Sequence, residues 1–236
     1  MIRSLVLLAY LIALCVPAAI VCFPWALITG NADPLYNASI WIVRTGYRLV
    51  GIRIVATGRE LVPARTACIF MANHVSNLDP PALLPQIPGR TSAFIKSSLL
   101  KVPIFGPALR LANFIPVSRD GSVSGAQESV AAARRVLESG LHITTFVEGT
   151  RSPDGRMLAF KKGPFYLAMQ AGAPCIPVSI YGTETMMAKG TWHIKGGVGH
   201  IVFHAPLDPA SFATRDELMQ AVREAIASGL PEWMRG

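Results

Sequence analysis

Charge is what the stretch after Arg3 lacks: from Ser4 to Ala32 there is no acidic or basic side chain. A run of that length exceeds the ~20 apolar residues needed to cross a hydrocarbon core about 30 Å thick. It also exceeds the apolar core of about 7–15 residues in a secretory signal, and no small-x-small cleavage site follows it. A retained membrane anchor is therefore expected, although Pro17 and Pro24 each remove a helix hydrogen bond and favour a kink. Acidic residues are scarce throughout, 14 against 22 Lys and Arg, for a formal net charge of +8. That balance points to a negatively charged partner such as phosphorylated substrates or an anionic bilayer. No dense Lys/Arg tract with interleaved aromatics is present, which argues against nucleic acid. Only four cysteines occur (Cys15, Cys22, Cys68 and Cys175), none in a CxxC pair, so buried reduced thiols are expected rather than a metal or redox site. Repeats and low-complexity segments are missing too, which excludes a solenoid.

What remains suits one sizeable domain with an appendage. Residues 1–51 read as N-terminal membrane-anchoring helices and residues 52–236 as a catalytic α/β domain. Within the first part, Asp33-Pro34 opens a second helix, Leu35 to Val50, whose apolar positions recur at helical spacing. Arg44 and Arg48 lie one turn apart on it, as on a helix resting at a lipid interface or an ordinary core-facing one. Arg44, Arg48, Arg53 and Arg59 against the lone Arg3 favour a cytoplasmic position for the globular part.

Beyond Gly51 the pattern alternates. Strands are predicted at 52–57, 67–72, 93–95, 114–117, 142–147, 174–181 and 200–204. Helices are predicted at 80–86, 123–139, 164–171 and 215–228, with a further helical stretch between 95 and 114. This alternation predicts a partly parallel mixed sheet flanked by helices.

Four stretches fall at strand ends, where open α/β sheets place their ligands. The first is Asn73-His74-Val75-Ser76-Asn77-Leu78-Asp79. A histidine is a usable base near neutral pH, and a carboxylate on one ring nitrogen fixes its tautomer. Asp79-Pro80 also reads as a plain helix start. The second stretch delivers Arg119, and the third is Phe146-Val147-Glu148-Gly149-Thr150-Arg151-Ser152. Two arginines at strand exits suit a phosphate monoester, which a guanidinium grips with two parallel hydrogen bonds. Lys96, Lys101, Lys161 and Lys162 add positive potential, or form a solvated or lipid-facing surface. The fourth is the proline-bracketed strand Pro174-Cys175-Ile176-Pro177-Val178. His200 and His204 share a strand face, but no Cys, Asp or Glu pattern supports a metal.

Taken together, Asn-His-x4-Asp and Phe-x-Glu-Gly-Thr-Arg-Ser resemble the motifs of the glycerolipid acyltransferase family, over about half the chain. The nearest kind is 1-acyl-glycerol-3-phosphate acyltransferase. The resemblance implies that His74 is a general base and Asp79 its orienting partner. It implies that Arg119, Glu148, Gly149, Thr150 and Arg151 hold the glycerol phosphate, with Lys96 and Lys161 nearby, and that Ile176, Pro177 and Val178 help to shape the acyl site. One departure stands out: the family often carries Gly shortly before the second-motif arginine, where this chain has Ala112-Asn113. The implied reaction moves a fatty acyl group from acyl-CoA or an acyl carrier protein thioester to a lysophosphatidate hydroxyl at the membrane. No tightly bound cofactor or metal is implied. No Ser or Cys sits in a nucleophile elbow, which favours direct transfer. Oxyanion donors are expected from backbone N–H groups near the histidine loop or the following helix N-terminus. Rival readings are acylation of glycerol 3-phosphate or another lysolipid, a membrane-anchored thioester or phosphoester hydrolase, and a non-catalytic binder of anionic lipid.

Overall fold

The computed structural model describes residues 1–96, 100–101, 105–111, 113–117 and 123–236. The elements are α1 (Ile2–Thr29), α2 (Asp33–Leu49), β1 (Ile52–Thr57), β2 (Ile69–Ala72), α3 (Asp79–Leu83), β3 (Thr91–Lys96), α4 (Phe105–Leu111) and β4 (Ile115–Val117). They continue as α5 (Val123–Glu138), β5 (His142–Phe146), α6 (Lys162–Ala171), β6 (Cys175–Tyr181), α7 (Thr183–Met186), β7 (Gly197–Phe203) and α8 (Arg215–Ser228). The strands form one seven-stranded sheet in the order β1-β7-β6-β2-β5-β3-β4. β2, β3, β4, β5 and β6 run parallel, whereas β7 runs antiparallel to β6 and carries β1 parallel to itself.

The parallel centre explains the composition of β2. All four of its residues are fully buried, because helices cover both faces of the sheet. Successive side chains point to opposite faces. Ile69 and Met71 accordingly join a core with residues of α5, α6 and α8, while Phe70 and Ala72 join a second core with Tyr47 of α2 and Ala82 and Leu83 of α3.

The second core ties the N-terminal helices to the domain. Leu7 of α1 and Tyr47 of α2 are buried in it. Gly46 lets the two helices approach, since a Cβ there would lie 3.0 Å from Leu7 and Tyr10. The Ser4 hydroxyl accepts from Ile194 N at 2.9 Å, and Arg90 pairs with Asp33 at 2.6 Å. The α2 segment is thus packed against the domain, not a detached anchor. Helix α1 is about 42 Å long at the α-helical rise, reaches a mean hydropathy of 2.8 over its most apolar 18 residues, and leaves most of its surface uncovered. It is long and apolar enough to span or anchor in a hydrocarbon layer. Pro17 and Pro24 lie inside this single continuous helix.

Arg119, together with Ala112, lies outside the described residues. Asn113 takes φ of 58°, the one non-glycine residue with positive φ among those described. Asparagine tolerates the left-handed region better than most residues, so the glycine missing from the second stretch has a conformational substitute.

Candidate active site

Parallel pairing places the first and third stretches side by side. Ala72 of β2 pairs with Phe146 of β5, so two residues further on His74 and Glu148 emerge together at the carboxyl edge of the sheet. The backbone N–H of His74 donates to Glu148 Oε1 at 3.2 Å. Ser152 N donates to the His74 carbonyl at 2.7 Å, which draws the Arg151 loop against the same residue.

The imidazole and the carboxylate meet as expected. His74 Nδ1 lies 2.7 Å from Asp79 Oδ2, with the histidine side chain 16% exposed and the aspartate fully buried. The Phe146 ring stacks on the imidazole at 4.1 Å between centroids, which restrains ring rotation. Asp79 Oδ2 also accepts from Val75 N at 2.7 Å and Ser76 N at 2.8 Å, and Oδ1 accepts from the Thr183 hydroxyl at 2.5 Å. A buried carboxylate is tolerable when hydrogen bonds replace its water. The ring nitrogen remote from Asp79 is left to act on a bound group.

Asn73 holds the site to the neighbouring strand. Its amide donates to Ile180 O at 2.8 Å and accepts from Ile180 N at 2.7 Å, across β2 and β6. Ser76 Oγ donates to Met187 O at 2.7 Å, so the histidine loop is also fastened to the segment after α7.

Glu148 is 1% exposed, and its Oε2 has no hydrogen-bond partner among the described residues. Burial pushes its carboxyl up from 4.5 to about 7, partly opposed by the backbone N–H groups of His74 and Leu158. The folded chain therefore binds this proton more tightly than the unfolded chain does. Glu148's effect on stability is most favourable below about pH 4.5, declines as pH rises towards about 7, and is level above that. The rise corresponds to about 3 kcal/mol at most. Glu148→Gln should thus melt above the wild type at pH 8, with the gap closing towards pH 4.5. Thermal melting across that range checks this, and a gap independent of pH would contradict the burial account.

Gly149 has φ of 69°, and a Cβ there would lie 3.0 Å from the Lys161 side chain. Left-handed backbone and close packing together favour glycine. Thr150 is exposed, Arg151 is half-buried, and Lys189 Nζ donates to the Arg151 carbonyl at 2.7 Å. Lys161 is exposed and its N–H donates to Val147 O at 2.7 Å, whereas Lys101 and Lys162 are simply exposed. Lys96 ends β3, and its side chain lies outside the described part. Ile176, Pro177 and Val178 are buried in β6, with Ile176 and Val178 inside the second core.

The expectation that the histidine loop supplies oxyanion donors meets an obstacle. The N–H groups of His74, Val75 and Ser76 serve carboxylates, and Leu78 N donates to Ser76 Oγ. The helix that follows opens Asp79-Pro80-Pro81, and proline has no N–H to offer. The remaining histidines have structural partners: His142 Nδ1 accepts from Cys68 N at 3.1 Å, His193 stacks on Trp192, His200 stacks on Tyr181, and His204 Nε2 shares a hydrogen bond with Ser179 Oγ at 2.8 Å.

Sheet and site together define an α/β enzyme with an imidazole–carboxylate pair at the carboxyl edge of its parallel strands. The acyltransferase family model matches residues 53–181, and the chain belongs to that family. It is 29% identical over 185 residues to 1-acyl-sn-glycerol-3-phosphate acyltransferase of Limnanthes alba, covering 78% of this chain and 65% of that one. It is 30% identical over 184 residues to the protein of the same name in Borreliella burgdorferi, covering 77% and 73% respectively. The crystal structure of the 1-acyl-sn-glycerophosphate acyltransferase PlsC from Thermotoga maritima superposes with a TM-score of 0.76 at 28% identity, covering 98% of this chain and 96% of that one.

Proposed function

We propose that the chain transfers a fatty acyl group from a thioester to the free sn-2 hydroxyl of 1-acyl-glycerol 3-phosphate, giving phosphatidate. The observation that carries the reading is His74 held on a buried Asp79 with the Arg151 loop hydrogen-bonded to the histidine backbone. An alcohol is a poor nucleophile at neutral pH and needs a base as it attacks. In this reading the free imidazole nitrogen takes the hydroxyl proton as oxygen bonds to the thioester carbonyl carbon. Asp79 steadies the imidazolium that forms. The tetrahedral adduct then expels the thiolate, and the proton on His74 passes to the departing sulfur.

The unpartnered Oε2 of Glu148 offers a buried acceptor to a second hydroxyl or other donor of the bound lipid. Arg151, with Arg119, grips the phosphate. The apolar outer surface of α1 holds the enzyme on the cytoplasmic face of an anionic membrane, so the acceptor enters laterally. Extraction of its acyl chain into water, at about 0.8 kcal/mol per CH₂, is then avoided.

Purified protein offered acyl-CoA and acyl carrier protein thioesters with a panel of glycerol phosphates and lysolipids, followed by mass spectrometry, tests the assignment. Phosphatidate formed only with lysophosphatidate supports it. Release of free fatty acid without any acceptor dependence would establish a hydrolase instead. Arg151→Ala should raise the KM for the phosphorylated acceptor at least tenfold while the thioester KM stays near the wild-type value. A guanidinium–phosphate contact is charge-assisted and worth about 1.5–3 kcal/mol. Unchanged acceptor kinetics would remove the phosphate role.

A further inference from the structure

The fourth stretch has a functional output that its own residues do not reveal. Ile176 and Val178 are wholly buried core side chains. Two residues beyond the end of β6, however, Thr183 is fully buried and its hydroxyl donates to Asp79 Oδ1 across 104 positions of sequence. This is the one hydrogen bond that Oδ1 has among the described residues, whereas Oδ2 has three partners.

Three local features show that this placement is specific. Gly182 takes φ of 87°, and a Cβ there would come within 2.5 Å of Val198 O, so the turn after β6 is set by a residue without a side chain. Thr185 and Thr191, in the same stretch, bond carbonyls three residues back, as threonines commonly do, whereas Thr183 reaches across the fold. The turn also lies beside the Asn73–Ile180 clamp, which fixes the exit of β6 relative to the histidine loop.

We propose that Thr183 is a positioning residue of acyl transfer: its hydroxyl anchors the outer oxygen of Asp79, and so fixes the carboxylate plane against which the His74 ring is set. This rests on the reading of His74 as the base. A carboxylate held only through Oδ2 could pivot about that oxygen, and the imidazole would turn with it. Ring nitrogen and hydroxyl must meet within hydrogen-bond reach, so a small rotation lowers turnover without preventing either substrate from binding.

Two substitutions separate this role from packing. Thr183→Val keeps the branched shape and the methyl that lies beside Gly199, but loses the hydroxyl. Thr183→Ser keeps the hydroxyl and loses the methyl. The expected result is that Thr183→Val lowers kcat at least tenfold with both KM values within about twofold of wild type, and that Thr183→Ser retains most of the activity. A second readout does not depend on substrate: the downfield Nδ1–H proton resonance of His74 should be present in the wild type and in Thr183→Ser, and shifted or lost in Thr183→Val. If Thr183→Val does not fold, Thr183→Cys replaces it with the same expected pattern. Wild-type kcat and an unmoved His74 resonance in the folded hydroxyl-free variant would overturn the proposal, as would Thr183→Ser being the more damaged of the two. A wild type that transfers no acyl group but keeps the Thr183-dependent resonance would instead count against the reaction assigned.

Discussion

His74→Ala should lower acyl transfer by about 10²–10⁴-fold, the usual contribution of a positioned base, with little change in melting temperature. The second half of that expectation comes from how Asp79 is held. Without the imidazole the carboxylate keeps Val75 N, Ser76 N and the Thr183 hydroxyl as donors, so no buried charge is abandoned. Phe146 loses its stacking partner at the edge of the sheet, which is a small loss for a partly exposed ring. Turnover by mass spectrometry and a melting curve measure the two halves independently. A folded variant with near wild-type turnover would remove His74 from the chemistry.

Asp79→Asn tests the charge separately from the shape. An asparagine oxygen can occupy the Oδ2 position, where His74 Nδ1–H, Val75 N and Ser76 N all donate. Its NH₂ would then face Thr183, whose hydroxyl can turn round and accept. The ring would keep its tautomer and roughly its pose, but the negative charge that steadies an imidazolium would be gone. The expected loss in kcat is about 10²–10⁴-fold with the fold retained. Asp79→Ala differs in kind, because it leaves buried N–H groups unsatisfied at about 1–3 kcal/mol each, so it should melt lower as well as lose activity. Equal rates for wild type and Asp79→Asn would mean that Asp79 acts by geometry alone.

How far the sequence discloses all this depends on whether the information is local. The apolar runs and their turn signals placed the core strands and helices to within a few residues, and α8 matches its predicted limits. His74 and Asp79 are legible because only four residues separate them and a proline marks the helix start between strand and core. The antiparallel insertion of β7 between β6 and β1 was not legible, since strand order depends on pairing partners far apart in the chain. Thr183 is illegible for the same reason: a lone threonine after a glycine carries no pattern, and only the fold brings it to Asp79. The oxyanion expectation is narrowed by something local: the two prolines at the start of α3 have no N–H to offer, and those of His74, Val75 and Ser76 serve carboxylates. The acyl-site role expected of Ile176–Val178 comes from resemblance alone, and the structure shows these residues buried in β6.

A contact joins the N-terminal helices to the histidine loop. The Tyr47 hydroxyl of α2 donates to Leu78 O at 2.8 Å, on the residue immediately before Asp79. Whatever tilts or lifts α2 therefore tugs directly on the peptide that delivers the carboxylate. The position of α2 is therefore coupled to the backbone that carries Asp79, and a shift of that helix should detune the dyad.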